Sequence, residues 1–202
     1  MKAPDHSPTI MPAPASEPAV DRIRISNGRP ADLDGRGETE IAVYALLDRL
    51  GITYATACHE AAFTMEQCMA IETALGAPVC KNLFLCTHNK SGVYLLMLPS
   101  DKPFKTKYLS SQIGCSRLSF ASAEDMETLL RIHPGAVSPM GLMNDADRRV
   151  RLIIDRDLLG LAEFCCHPCV NTATVRLAMK DFLELYLPAA GHGYESVELP
   201  AL

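Results

Sequence analysis

The amino-acid sequence predicts a domain of the α+β class, with strands and helices mixed along the chain. Segments with strand and helix patterns are interleaved over 202 residues but do not alternate strictly, which disfavours a doubly wound parallel sheet. Apolar residues make up 48% and charged residues 21% of the chain, so a wholly disordered protein is excluded. No run of about eighteen apolar residues occurs, so the sequence predicts no transmembrane helix.

The N-terminal segment differs in composition from the rest of the chain. Six of the 14 prolines fall before residue 31, and a helix does not run through closely spaced prolines. The sequence therefore predicts a disordered tail at 1–37 and one folded domain at 38–202. A mitochondrial presequence is the alternative for the tail, but Asp5, Glu17 and Asp21 disfavour it.

Local patterns predict the elements of the domain in order. Apolar residues at helical spacing predict helices, glycines mark their ends, and short apolar runs predict strands. Helices are predicted at 38–50, 64–76, shortly after 108, at 122–131 and at 180–187. Strands are predicted at 52–57, 79–88, 93–98, 117–120, 150–155, 163–166 and 172–177. The segment 79–98 reads as a hairpin, and 133–142, rich in proline, glycine and small residues, reads as a loop.

Charge limits the ways in which this chain can bind nucleic acid. The 19 basic and 24 acidic residues give a net charge of −5, so a nucleic-acid contact would depend on a local basic patch. An ordinary solvated surface is the alternative interpretation of such clusters. Two basic clusters occur, one of Lys102, Lys105 and Lys107 and one of Arg148, Arg149 and Arg151.

Most of the eight cysteines lie in apolar runs, which is typical of reduced, buried thiols in a cytosolic protein. Cys165, Cys166 and Cys169 surround His167, a spacing that suggests zinc. A second ligand pair at comparable spacing is missing, so we expect neither a metal nor a cofactor. Neighbouring residues on a strand point to opposite faces, which disfavours a Cys/His nucleophile pair. A metal-binding or thiol-switch protein built on these cysteines remains an alternative.

Polar residues interrupt apolar stretches in three places. Lys81-Asn82 lies in a strand with a buried pattern, and an unpaired buried ammonium costs several kcal/mol. Lys81 must therefore be paired, lie at an edge, or present its charge to an anionic substrate atom. The small residues at 135–139 would let a ligand approach backbone N–H groups, with an ordinary turn as the alternative. His167 is either a pocket residue or a structural histidine.

Taken in order, these segments resemble the YbaK/prolyl-tRNA-editing family. The resemblance covers about residues 38–198 and is closer to the freestanding branch of PrdX and ProXp-ala, the alanyl-tRNA(Pro) deacylases. It implies a strongly curved mixed sheet flanked by helices, and hydrolysis of the ester that links a wrong amino acid to proline tRNA. The matching segments are Lys81-Asn82-Leu83-Phe84-Leu85, the Gly-x-x-x-Pro loop at 135–139, Phe164, His167-Pro168 and Asn171-Thr172-Ala173-Thr174.

The resemblance also assigns expected roles to residues. An aminoacyl ester is already activated, so the enzyme must orient a water and stabilise an oxyanion, and needs no protein nucleophile. The expected catalytic residues are Lys81, Asn82, Gly135 and His167. The expected substrate-binding residues are Phe63, Thr64, Leu83, Ala136, Val137, Ser138, Pro139, Met140 and Asn171. The expected tRNA contacts are Lys102, Lys105, Lys107 and Arg149.

The preferred hypothesis is trans-editing of Ala-tRNA(Pro). A synthetase site built for proline rejects alanine weakly, because each missing methylene contributes only about 1–3 kcal/mol, and a second, smaller pocket corrects the error. Deacylation of Cys-, Ser- or Thr-charged tRNA is the first alternative, and a non-catalytic tRNA- or synthetase-binding module is the second. The expected partners are the acceptor end of tRNA(Pro) and prolyl-tRNA synthetase, in the cytoplasm and without a membrane.

Overall fold

The computed structural model describes residues 23–61 and 65–200, which form two β-sheets with helices packed against them. The predicted α+β class is confirmed, with two open sheets where one curved sheet was expected. The first sheet is antiparallel and has the order β1 (Arg24–Asn27), β2 (Tyr54–Cys58), β8 (Ala173–Ala178), β7 (Glu163–Cys166). The second is mixed and has the order β5 (Leu118–Phe120), β3 (Cys80–Thr87), β4 (Val93–Pro99), β6 (Val150–Asp155), β9 (Tyr194–Val197).

Helices occupy most of the predicted helical segments. The fourth helix begins at a capping box formed by Ser122 and Asp125, as its sequence indicates. Within the described ranges, no helix is long and apolar enough to cross a bilayer. The helices are α1 (Glu38–Arg49), α2 (Met65–Leu75), α3 (Thr106–Gln112), α4 (Ala123–Leu130) and α5 (Arg156–Leu159), followed by α6 (Met179–Asp181), a π-helical turn (Phe182–Tyr186) and α7 (Leu187–Ala189).

The β3–β4 hairpin is buried on both faces, as its continuous apolar run predicts. Successive side chains of a strand point to opposite faces, so alternate residues of β4 enter different clusters. Leu95 and Met97 lie in the main core, which also takes side chains from α1 and from both sheets. Leu96 and Leu98 lie in a second cluster beneath α3. The second sheet therefore forms a layer with hydrophobic core on each side.

The start of the fold differs from the prediction. Arg24–Asn27 is a strand paired antiparallel with β2, in the register Arg24 to Cys58, so the folded part begins before Glu38. Residues 23–29 contain no proline, which allows a strand, but the strand forms through its long-range pairing with β2. Residues 1–22 of the predicted tail lie outside the described residues.

Two further differences concern short elements with weak sequence signals. The predicted loop at 133–142 contains the start of a 3-10 helix, Pro139–Asn144, which is capped by the Ser138 hydroxyl. The edge strand β9 was not predicted, because its four residues are mostly polar and exposed. Its parallel pairing with β6 comes from tertiary context, which a local pattern does not report.

Candidate functional site

Lys81 lies on β3 with its ammonium held by the backbone. Its Nζ donates to the carbonyl of Ser100 at 3.2 Å and to the carbonyl of Lys102 at 2.6 Å. Burial lowers the pKa of Lys81, and the nearby carboxylate of Asp101 partly offsets this. An ammonium has three N–H donors, so one donor has no partner among the described residues. Lys81 is thus paired, yet retains a donor for a ligand oxygen.

The two sheets meet directly beside Lys81. Val79 and Cys165 form an isolated parallel bridge, and the Cys165 N–H donates to the carbonyl of Pro78 at 2.8 Å. Two residues beyond each bridge partner come Lys81 and His167. Because the bridge is parallel, the chain carries these two residues away from the junction in the same direction. The structure therefore places the expected lysine and histidine at one end of the sheet junction.

His167 is held in one tautomer by the backbone. Its Nδ1 lies 2.8 Å from the carbonyl oxygen of Ala173, and a carbonyl only accepts, so Nδ1 carries the proton and Nε2 is the acceptor. Burial is the main cause that lowers the pKa of His167, with a smaller contribution from the neighbouring ring of His59. The imidazole is accordingly neutral at pH 7, with a lone pair on Nε2.

A second histidine, His59, adjoins His167 with ring centroids 6.4 Å apart. Its Nδ1 lies 2.7 Å from the carbonyl of Glu60, and its Nε2 lies 2.9 Å from the hydroxyl of Thr174. Burial lowers the pKa of His59 as well. The sequence did not single out His59 as a site residue, and Thr174 is 115 residues away along the chain.

The predicted loop at 135–139 is joined to the histidine segment. The Ser138 hydroxyl donates to the carbonyl of His167 and accepts from the Met140 N–H at 3.1 Å. Gly135 has φ +90°, and a Cβ added there would lie 3.5 Å from the amide nitrogen of Asn171. The structure thus brings Gly135, Ser138, His167 and Asn171 together.

Two residues of this loop cannot contact a ligand as expected. Ser138 and Met140 are both 0% exposed, and the Met140 carbonyl accepts from the Tyr186 hydroxyl at 2.6 Å. Their substrate-binding assignment is wrong, because both side chains are enclosed by the main core and the C-terminal helix. Ala136 and Pro139 are also buried, and Val137 packs partly against the same core. The backbone of Gly135 is the exposed part of the loop.

The remaining expected pocket residues are less closely tied to His167. Leu83 is partly buried and packs against the second cluster, two residues along β3 from Lys81 and on the same face. Asn82 faces the other way, and its Oδ1 accepts from the Cys80 thiol at 3.5 Å. Phe63 and Thr64 lie outside the described residues.

Lys102 is a structural residue, so its assignment as a tRNA contact is wrong. Its side chain is 7% exposed, and its Nζ lies 2.9 Å from a carboxylate oxygen of Asp155. The same nitrogen is 2.8 Å from Asp157. The other expected tRNA contacts have exposed side chains and stay predictions; these are Lys105, Lys107 and Arg149.

The cysteines near His167 are poor nucleophiles. Cys165, Cys166 and Cys169 are buried, and burial raises the pKa of each thiol well above its usual range. All eight cysteines are free thiols. In the part of the chain with described coordinates, no group of three or more His, Cys, Asp or Glu could hold a metal ion.

An open cleft of about 870 Å³ extends from His59 along the N-terminal segment. Its wall includes Arg36 and the buried carboxylate of Glu40, which lie 2.5 Å apart. The Arg36 guanidinium also donates to the Cys58 sulfur at 3.0 Å. The hydrogen bond to Cys58 holds the entry to α1 against β2, so the N-terminal segment forms one side of the cleft.

The fold and these residues define a class of protein. The family model for the aminoacyl-tRNA editing domain matches residues 59–185, a range that includes Lys81, Gly135 and His167. The chain belongs to this family, whose members are aminoacyl-tRNA deacylases and therefore carboxylic ester hydrolases. The family resemblance stated from the sequence is thus confirmed.

Individual relatives narrow the comparison. The prolyl-tRNA editing protein ProX of Acetoanaerobium sticklandii is 35% identical over 158 residues, which cover 78% of this chain and 96% of the relative. The prolyl-tRNA synthetase associated domain-containing protein 1 of Danio rerio is 34% identical, with coverage of 76% and 82%. A solved structure described as a candidate trans-editing enzyme for prolyl tRNA synthetase shares the fold at a TM-score of 0.59 and 19% identity, covering 81% of this chain and 97% of that one.

Proposed function

We propose that this protein acts in trans to hydrolyse mischarged proline tRNA, and that Ala-tRNA(Pro) is its substrate. The observation that carries the proposal is that Lys81 and His167 each come two residues after the bridge that joins the two sheets. Lys81 offers a positive charge with one unused donor, and His167 offers a neutral acceptor nitrogen. The relative named as a prolyl-tRNA editing protein supports proline tRNA as the nucleic acid.

In the proposed reaction, this site positions groups and supplies no covalent nucleophile. The oxygen of a water molecule bonds to the ester carbonyl carbon, and the bond from that carbon to the ribose oxygen breaks. The leaving ribose oxygen takes up the proton that the water releases and becomes a hydroxyl, so the products are free tRNA and a free amino acid. Lys81 stabilises the negative charge that develops on the carbonyl oxygen, aided by backbone N–H groups near Gly135.

His167 orients the substrate or the attacking water. A neutral imidazole with its proton on Nδ1 presents Nε2 as an acceptor, which suits either the α-ammonium group of the amino acid or a water. Its lowered pKa keeps that lone pair available at pH 7. An imidazolium would instead repel the α-ammonium group, so protonation of His167 should inhibit the reaction.

The choice of alanine rests on the logic of a second sieve. An editing pocket that excludes proline by size admits alanine, and it also admits residues of similar volume such as cysteine and serine. Leu83 is the partly exposed apolar side chain on the Lys81 face of β3, and it is suited to set that volume. Threonine is the largest of the alternative substrates.

The test is deacylation of tRNA(Pro) charged separately with alanine, cysteine, serine, threonine and proline. We expect hydrolysis of the alanyl ester and no hydrolysis of the prolyl ester. Lys81→Ala should lower kcat/KM about 100-fold or more, because it removes an oxyanion donor. Lys180→Ala is the matched control, since this lysine is 76% exposed and lies on the C-terminal helix. Circular dichroism checks that both variants fold.

Each other outcome has a defined meaning. Preference for a different ester would support the hydrolysis but contradict alanine as the amino acid. An active Lys81→Ala would remove Lys81 from the mechanism. A wild type inactive on every ester would refute the hydrolase and favour a tRNA- or synthetase-binding module.

We also propose that prolyl-tRNA synthetase is a partner and that the protein works with it in the cytoplasm. The support is the name of the Danio rerio relative, a prolyl-tRNA synthetase associated domain-containing protein. Co-elution of the two proteins in gel filtration, with and without tRNA(Pro), tests this association. Separate elution under both conditions would refute it.

A further inference from the structure

Lys102, which lies in the loop that follows β4, forms a buried ion pair. Its ammonium lies 2.9 Å from both carboxylate oxygens of Asp155, which is 0% exposed, and 2.8 Å from Asp157. A buried charge of this kind needs its partner, because an unpaired ion inside a protein is strongly unfavourable. The side chain of Lys102 is therefore fixed to the end of β6.

The backbone of the same residue holds Lys81. The carbonyl of Lys102 accepts from the Lys81 ammonium at 2.6 Å, and the carbonyl of Ser100 accepts at 3.2 Å. The segment 100–102 thus contacts the lysine of the site through its main chain. Its only charged anchor into the core is the Lys102 side chain, among the residues that the structure describes, since Asp101 is exposed.

Asp155 is a rigid anchor because it also bonds to two backbone N–H groups. Its Oδ1 accepts from Asp157 N–H at 3.0 Å, and its Oδ2 accepts from Leu199 N–H at 3.2 Å. It is the last residue of β6, which pairs in parallel with β4 inside the second sheet. The carboxylate consequently joins the sheet, the start of α5 and the C-terminal segment to the loop at 100–102.

We propose that Lys102 is a positioning residue for Lys81, with Asp155 as its anchor. The ion pair holds the segment 100–102 so that its carbonyl groups fix the direction of the Lys81 ammonium and leave one N–H for the substrate. The inference rests on the proposed function, in which Lys81 is the catalytic cation. Loss of the ion pair leaves the carbonyl groups of Ser100 and Lys102 in the chain but no longer holds them in place. A shift of about 1 Å in a positioned group lowers the rate of such a reaction by about 10- to 100-fold.

The main variant removes both charges at once, Lys102→Met with Asp155→Asn, so that no buried ion is left unpaired. We expect kcat for the alanyl ester to fall about 10- to 100-fold while KM changes less than about twofold. The single variant Lys102→Arg keeps a cation that can bind the Asp155 carboxylate with two hydrogen bonds, so its kcat should lie within about threefold of wild type. Lys180→Met, at an exposed position, is the matched control and should leave kcat unchanged. Lys102→Gln with Asp155→Asn, in which two neutral amides replace the ion pair, is used in place of the double variant if that protein does not fold.

A second readout follows Lys81 itself. Trace acetylation with acetic anhydride, quantified by mass spectrometry, reports how freely the Lys81 amine reacts. In the double variant the rate of Lys81 relative to that of exposed Lys180 should rise about tenfold, because loss of the two carbonyl acceptors favours the free amine. Neither a general loss of stability nor a loss of tRNA binding changes Lys81 selectively.

The outcomes separate this inference from the proposed function. Wild type that is inactive on every ester, with Lys81 acetylation still dependent on Lys102, would refute the function and keep the anchor. Wild type that is active, with unchanged Lys81 acetylation in the double variant, would overturn the anchor whether or not kcat falls. A kcat of Lys102→Arg as low as that of the double variant would also overturn it, because an arginine paired with Asp155 should hold the segment 100–102 in place.

Discussion

Replacing Ser138 by alanine tests how the 135–139 loop is attached to the histidine segment. The Ser138 hydroxyl donates to the His167 carbonyl and accepts from the Met140 N–H, in a side chain that is 0% exposed. Ser138→Ala leaves both partners unsatisfied inside the protein, and each such group costs about 1–3 kcal/mol. The bond to Met140 is also the cap of the 3-10 helix, so it is counted once. We expect the free energy of unfolding to fall by about 2–6 kcal/mol.

Urea unfolding followed by circular dichroism measures this loss, with an unchanged m-value as the sign that the unfolded state is not altered. The matched control is Ser110→Ala, which deletes a hydroxyl bonded to the Lys107 carbonyl at 3.2 Å at the surface. The control should change the free energy of unfolding by less than about 0.5 kcal/mol. An equal loss in both variants, or a loss below about 1 kcal/mol in Ser138→Ala, would refute the reasoning from buried partners.

Three other perturbations address the N-terminal ion pair, the histidine and the basic surface. Arg36→Met leaves Glu40, which is 3% exposed, without its cation, so urea unfolding should show a loss of about 3 kcal/mol; an unchanged midpoint would contradict this. Burial lowers the pKa of His167 below 6.5, so the folded state binds fewer protons than the unfolded chain. Its contribution to stability is complete above pH 6.5 and declines as the pH falls toward the folded-state pKa. His167→Gln should make that decline in the urea midpoint shallower, and an unaltered decline would count against it. If Lys105 and Lys107 contact tRNA phosphates, neutralising both should reduce the salt slope of tRNA binding by about 1.5, whereas an unchanged slope would remove them from the interface.

The elements that the sequence predicts correctly are those with a signal inside a single segment. The capping box of Ser122 and Asp125 marks the start of α4, and the apolar run of β4 fills the clusters on both faces of its sheet. The strands β1 and β9 lack such a signal, because they are short and largely exposed and depend on distant partners. Arg24, for example, pairs with Cys58.

The candidate site likewise contains residues that a local motif identifies and a residue whose role depends on a distant partner. Motif matches identify Lys81, Gly135 and His167, and the structure places Lys81 and His167 beside the same junction of the sheets. The same local view groups Lys102 with its basic neighbours, because its partner Asp155 is 53 residues away. Long-range pairing decides whether a lysine is a surface charge or a buried anchor, and no spacing rule reports that pairing.

The distance between Lys81 and His167 depends on how the two sheets pack, because Lys81 lies on β3 of the second sheet and His167 follows β7 of the first. Phe84 of the second sheet and Phe164 of the first lie in one core cluster, and the Phe164 ring packs edge-on against Phe182 at 5.2 Å. A reaction that relies on positioned groups, with no covalent nucleophile, loses rate when that distance changes. Substitutions that loosen the shared core should therefore reduce kcat before they unfold the protein, even though Phe164, at 0% exposure, is closed off from solvent. In the proposed mechanism, the core between the sheets therefore sets the separation of Lys81 and His167 on which the rate depends.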